Sequence, residues 1–291
     1  MLKVKNLTKR YGTKVALDNL SLEIKKGSVF GLLGVNGAGK TTLLSILNGL
    51  IDFDEGEVEV DGISLKKERK KVKSFSSIIP QHLAFYENLT VKENLDFFAS
   101  VQKATQQDYE KAVEVNSLDA LLDQKASTLS GGQKRRLNIA IGLLNNPKII
   151  YFDEPTVGID PKSRNEILDS IKEYKQLGIT VVYTSHYMSE IERICDEVAI
   201  VNEGRVLEQD RLENLLSNRV SDRVIVECVY SEKLQTLGLT LLDSSSIVTT
   251  QEQLFEVLEL LQKSGIALKH IRYGSTNLEK YFLEITGESS V

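Results

Sequence analysis

Cysteine is scarce in this chain of 291 residues: Cys195 and Cys228 are the only two, far apart in sequence. So few, so spaced, they make neither a metal site nor a disulfide framework, and they point to two buried or idle thiols in a reducing cytosol. An excess of basic residues is lacking too. Lys and Arg number 36 against 41 Asp and Glu, a formal net charge of −5. Non-specific nucleic-acid binding depends on clustered cations that neutralise phosphates, so no nucleic acid is expected as a partner. Long apolar runs are missing. The most hydrophobic stretch, Val29 to Leu50, is broken by glycines and Lys40, and a membrane span needs about 20 predominantly apolar residues. The start, Met1-Leu2-Lys3-Val4-Lys5, alternates like a strand and has no signal-peptide apolar region. Internal repeats, low-complexity tracts and long linkers are absent. What is present is the composition of a globular protein, 41% hydrophobic and 26% charged, long enough for one large domain or a large and a small one.

Residues 2–6 and 15–24 read as strands around a turn at Tyr11-Gly12. Val29 to Leu33 is a short continuous apolar run, the mark of a strand buried on both faces, and it feeds a helix through Leu43, Leu44 and Leu47 that stops near Gly49. Ile149–Phe152 and Thr180–Thr184 are two more such strands. Helices intervene, so the fold class is α/β: a core with a mostly parallel sheet, an antiparallel β subdomain and a helical insertion at about residues 88–146. Near Ser217-Asn218 the character changes. Val224–Val226 reads as a strand, Leu239 to Val248 as one or two more, and Ala267 to Ile271 as another. Leu254, Val257, Leu258 and Leu261 make an amphipathic helix that Gly265 ends. A capping box at Thr276-Asn277-Leu278-Glu279 opens a last helix. The expected domains are residues 1–216 and a small α+β appendix, 217–291.

The segment Gly34-Val35-Asn36-Gly37-Ala38-Gly39-Lys40-Thr41 satisfies the phosphate-loop pattern, after a strand and opening a helix, so the α/β core is expected to be that of a P-loop nucleoside triphosphatase. Glycines let the backbone wrap an anion, the helix N-terminus adds its dipole, Lys40 supplies charge near the β- and γ-phosphates, and Thr41 offers a hydroxyl to Mg²⁺. Thr42, next along, completes the candidate set. Asp153 ends a buried strand and suits a water-mediated Mg²⁺ contact, while Glu154 is placed to polarise a water for in-line attack. A second helix start, Ser130-Gly131-Gly132-Gln133, is a capping box before a helix carrying Leu137, Ala140, Ile141 and Leu144. Capping accounts for Ser130 and Gln133 but not for the glycines, which cost about 1 kcal/mol each relative to alanine. They make sense where another group approaches the backbone closely, so both glycines are read as baring the helix for a second phosphate.

Taken in order, these motifs resemble those of an ATP-binding subunit of an ABC transporter, over about residues 1–215. The resemblance implies further assignments. Tyr11 matches the aromatic residue that stacks on adenine. Gln81, after Ile78-Ile79-Pro80, matches the Q-loop glutamine that senses Mg²⁺ and the attacking water and faces the membrane subunit. His186, after Thr184-Ser185, matches the switch histidine that contacts the γ-phosphate. Asp160 in Gly158-Ile159-Asp160-Pro161 matches the D-loop, and it is also a good helix N-cap with Pro at the first position. The implied protein is a Mg²⁺-dependent ATPase in which Ser130-Gly131-Gly132 of one copy closes over the ATP held by Lys40 and Thr41 of another. The resemblance also implies a homodimer driving a separately encoded integral membrane permease from the cytoplasmic face of the membrane. The ending Asn277 to Gly287 is similar to the small domain of bacterial efflux ATPases for sodium, drugs and peptide antibiotics, which favours export. The same residues would also serve a non-transport ATP-dependent dimerisation switch gating a soluble or sensory partner.

Overall fold

The computed structural model describes residues 1–217, 223–241, 243, 245–250, 252–273 and 278–287, in two compact units, Met1–Leu212 and Glu213–Val291. The first opens with an antiparallel pair, β1 (Leu2–Tyr11) and β2 (Lys14–Ile24). β3 (Val29–Gly34) is buried along its whole length and leads into α1 (Lys40–Leu47). β4 (Glu55–Val60) and β5 (Ile63–Ser64) complete an antiparallel sheet in the order β2-β1-β4-β5. The short α2 (Arg69–Lys73) leads to β6 (Ser76–Ile79).

Between β6 and the next strand lie α3 (Val91–Gln102), α4 (Gln106–Val115) and α5 (Gly131–Leu143). The helical stretch expected from Val91 onward is thus divided: Lys103 turns left-handed at φ 57°, and Thr105 opens a new helix with its own capping box. β7 (Ile149–Asp153), α6 (Pro161–Gln176), β8 (Thr180–Thr184), α7 (Met188–Ile194), β9 (Glu197–Asn202) and β10 (Arg205–Arg211) follow.

The main sheet has the order β10-β9-β3-β8-β7-β6, parallel except for β10. Its continuous apolar strands reflect burial on both faces. One face shares a core with the antiparallel sheet and α1, through Leu7, Leu20, Leu44, Leu47, Tyr151 and Val182 among others. Register decides what happens at the edge. Leu32 pairs with Thr184, and Thr184 pairs with Asp153, so β3, β8 and β7 end side by side at their carboxyl ends, where parallel sheets place their ligands.

α8 (Leu212–Ser217) precedes the second unit's strands. These are β11 (Arg223–Cys228), β12 (Ser246–Thr250) and, after α9 (Leu254–Lys263), β13 (Leu268–Tyr273); α10 (Leu278–Thr286) ends the unit. The sheet is antiparallel, ordered β12-β11-β13, with Val224, Val226, Ile247, Leu254, Val257 and Leu261 in its core. Of the one or two strands expected over Leu239 to Val248, β12 is formed among the described residues. Ahead of it only an isolated bridge, Leu241 to Ile247, is formed among the described residues. Thr276 and Asn277 of the expected capping box lie outside the described residues. Among those described, no helix is long and apolar enough to cross a membrane.

Candidate active site

The phosphate loop is a tight wrap rather than a loose turn. Ala38 N–H donates to Val35 O (3.1 Å), and Gly39, at φ 102°, is the residue before α1. A Cβ at Gly39 would meet Ala16 O at 2.5 Å, so glycine is required there by conformation and by space. The first N–H groups of α1 have no partner within the helix, which makes its start an anion site. Lys40, buried, donates from Nζ to Gly34 O (2.7 Å) and Val35 O (3.2 Å). Burial lowers its pKa from the ordinary lysine value, and the carboxylates of Glu154 and Asp153 partly offset that by favouring the charged form.

Glu154 stands beyond β7 with φ 49°, a left-handed conformation uncommon for a residue with a Cβ. Thr184 holds it there. Its Oγ1 accepts from Glu154 N–H (2.9 Å) and reaches Phe152 O and Asp153 Oδ1, each at 3.2 Å. Turned this way, Glu154 Oε1 lies 2.6 Å from His186 Nε2 and 3.9 Å from Lys40 Nζ.

Gln81 is set from α5. The buried guanidinium of Arg135 donates to Pro80 O (2.8 Å) and Gln81 O (2.5 Å), and Asn138 Oδ1 accepts from Ala84 N–H (2.8 Å). A cavity of about 570 Å³ brings these parts together, lined by Tyr11, Asn36, Gly37, Gly39, Lys40, Thr41, Thr42, Gln81, Glu154 and His186. Lys14, Ala16, Val157 and Tyr187 also line it. Sequence reasoning missed these four. Lys14 and Tyr187 adjoin read positions, but no pattern marks Ala16 or Val157.

The remaining candidates lie off this cavity. Gly34 is a packing position, where a Cβ would meet Val201 O at 2.5 Å. Ala38 is buried in the core, and its N–H is spent inside the loop. Asp153 is buried at the strand end. Asp160 caps α6, accepting from Lys162 N–H (3.1 Å) and Ser163 N–H (3.0 Å), and bonds from Ser163 hold its carboxyl below the usual range.

The second helix start departs from expectation. Ser130 and Gln133 form the capping box, with Ser130 N–H to Gln133 Oε1 at 2.9 Å and Gln133 N–H to Ser130 Oγ at 3.3 Å. The two glycines are not alike. A Cβ at Gly132 would lie 2.2 Å from Ser163 Oγ and 2.3 Å from Ser163 Cβ, because α5 packs on α6 there. A Cβ at Gly131 would meet only Ile159 Cδ1, at 3.8 Å. Helix packing within one chain is therefore enough to account for glycine at position 132, where the sequence alone had offered only a close-approaching phosphate. Ser130 and Gly131 remain exposed.

A phosphate-wrapping loop, a strand-end carboxylate pair and a histidine at one edge of a parallel sheet define the class: a P-loop nucleoside triphosphatase. Comparison with known proteins is more specific. The ABC transporter family model matches residues 17–157. The linearmycin resistance ATP-binding protein LnrL of Bacillus subtilis (strain 168) is 36% identical, over 99% of this chain and 99% of its own. The methionine import ATP-binding protein MetN of Carboxydothermus hydrogenoformans is 40% identical over 75% of this chain and 68% of its own. Among solved structures, a dimer of the ATP-binding cassette MJ0796 in a post-hydrolysis state with ADP and Pi superposes with TM-score 0.66. It is 29% identical, covering 73% of this chain and 99% of that one. The chain belongs to the ABC transporter family as an ATP-binding subunit, and it is an ATPase.

Proposed function

We propose that this subunit is the motor of an exporter. Two copies close around two ATP molecules and drive a separately encoded membrane permease from the cytoplasmic face. One observation carries the dimer: Lys40, Glu154 and His186 meet on a single cavity, while Ser130 and Gly131 lie exposed and off that cavity. A second copy is what brings such a helix start to a γ-phosphate. Export is supported by coverage. The relative matched along its whole length is named for resistance, and the relative named for import matches 75% of this chain.

The donor set fits Mg²⁺, which keeps several waters and takes one or two carboxylates plus substrate phosphates. Thr41 and Gln81, both on the cavity, would hold it directly, and Asp153, buried at the strand end, would reach it through a water. Among the described residues no cluster of three His, Cys, Asp or Glu forms a self-sufficient cage. When bound, the ion would neutralise developing charge on the β- and γ-phosphates. The chain's own part is then positional. Tyr11, half exposed at the mouth, stacks on the base. Loop N–H groups and Lys40 hold the phosphates, Glu154 orients and polarises the attacking water, and His186 fixes Glu154.

Glu154→Gln tests the reading. It keeps the side chain's volume but weakens the base, so with ATP and Mg²⁺ the variant is expected to elute as a stable dimer that turns over at least 100-fold more slowly. A monomer under conditions where ATP demonstrably binds would overturn the composite site. Detergent co-purification of an integral membrane protein tests the motor role.

A further inference from the structure

Glu190, on α7, is a carboxylate only 2% exposed, and it does not line the nucleotide cavity. Burying such a charge costs several kcal/mol unless it is paired and hydrogen-bonded, and an apolar side chain of similar size would pack there more cheaply. Its partners show what it holds. Oε2 accepts from Ser185 Oγ (2.6 Å), Tyr183 OH (2.9 Å) and Thr156 Oγ1 (3.0 Å). These donors come from the residue before His186, from β8, and from the loop just past Glu154.

Ser185 extends the link. Having donated to Glu190, it accepts at Oγ from Tyr187 N–H (2.9 Å). Both chain neighbours of His186 are thereby tied to one buried carboxylate. The balancing charge is Arg164 of α6, with Nε 3.5 Å from Glu190 Oε1 and its guanidinium over the Tyr187 ring at 4.4 Å. Neither Arg164 Nε nor Glu190 Oε1 makes a hydrogen bond. The directional bonds of Glu190 therefore go to β8 and to the loops on either side of the His186–Glu154 contact. A catalytic constellation needs its groups held within about 0.5 Å of productive geometry by supporting hydrogen bonds.

We propose that Glu190 is a positioning residue for ATP hydrolysis, acting through Ser185 to hold His186 against Glu154. This rests on the hydrolytic roles proposed above for Glu154 and His186.

Glu190→Ala risks unfolding the unit, so Ser185→Ala is the principal test; it leaves Glu190 bonded to Thr156 and Tyr183. The kcat and KM for ATP, equilibrium nucleotide affinity and Tm are measured on the full chain. Ser185→Ala is expected to lower kcat about tenfold, the loss of one charge-assisted hydrogen bond, with KM and nucleotide affinity within twofold of wild type. Glu190→Gln, of equal volume but with fewer acceptor sites for three donors, gives the same pattern independently. In a His186→Ala background, Ser185→Ala adds no further loss, because its effect passes through His186. Unchanged kcat with a lowered Tm in both single variants would show a purely structural role and overturn the proposal, as would losses that multiply in the double variant. Glu154→Gln and His186→Ala run alongside: wild-type rates in those two would sink the underlying site reading instead.

Discussion

Gly131→Ala and Gly132→Ala, adjacent and chemically identical changes, are expected to fail in opposite ways. At Gly132 the added methyl lies 2.2 Å from Ser163 Oγ and 2.3 Å from Ser163 Cβ. Rotation about the Ser163 side chain can move Oγ but not Cβ, so α5 and α6 must part. Overpacking of this kind costs about 1–3 kcal/mol, against about 1 kcal/mol gained from the helix preference of alanine over glycine. A net loss of up to about 2 kcal/mol lowers Tm by up to about 4–8 °C in a unit of this size. At Gly131 the nearest atom is 3.8 Å away, so the helix preference acts alone and Tm holds or rises, while ATP-dependent dimerisation and turnover fall. Thermal unfolding followed by circular dichroism, with ATPase rates and light scattering on the same samples, separates the two. Ser163→Gly, which removes both clashing atoms, should restore Tm to Gly132→Ala, and Ser163→Ala, which keeps the Cβ, should not. Equal stability of the two glycine variants would refute the packing argument and return both positions to the interface.

Two further outcomes follow from the geometry. Lys40→Ala removes a buried cation that the structure sets beside Glu154, and it should abolish turnover and weaken ATP binding at least tenfold, read by nucleotide titration; near-normal hydrolysis would contradict its phosphate role. Asp160 caps α6 with a carboxyl held below its ordinary pKa, so its contribution is complete above the unfolded value and is lost as pH falls through the folded one. The Tm gap between wild type and Asp160→Ala should therefore be full at neutral pH and narrow in acid, and a gap independent of pH would rule out the charged cap.

Legibility in the sequence followed how local the cause was. Gly34 to Thr41 was readable because loop, helix start and lysine are contiguous and act largely through backbone, and the buried strands ending at Gly34, Asp153 and Thr184 were readable from unbroken apolar runs. The Ser130 cap was equally local and formed as expected. Leu239 to Val248 was readable only as one or two strands, because apolar residues do not make a strand without a neighbour to pair with, and among the described residues there Ser246 onward enters the ladder with β11.

Other properties required the third dimension. That Glu154 meets Lys40 and His186 depends on strand order and on the Leu32–Thr184–Asp153 register, which no contiguous pattern encodes. Arg135 and Glu190 look like ordinary polar residues of helical segments until packing buries them against the Gln81 and His186 loops. Gly131 and Gly132 read identically in the chain, yet one faces solvent and the other faces Ser163. Backbone-borne chemistry was determined by the sequence itself, through spacing and conformational preference. Which side chains meet, and which of two equal glycines stays exposed, was decided by close packing between elements distant along the chain.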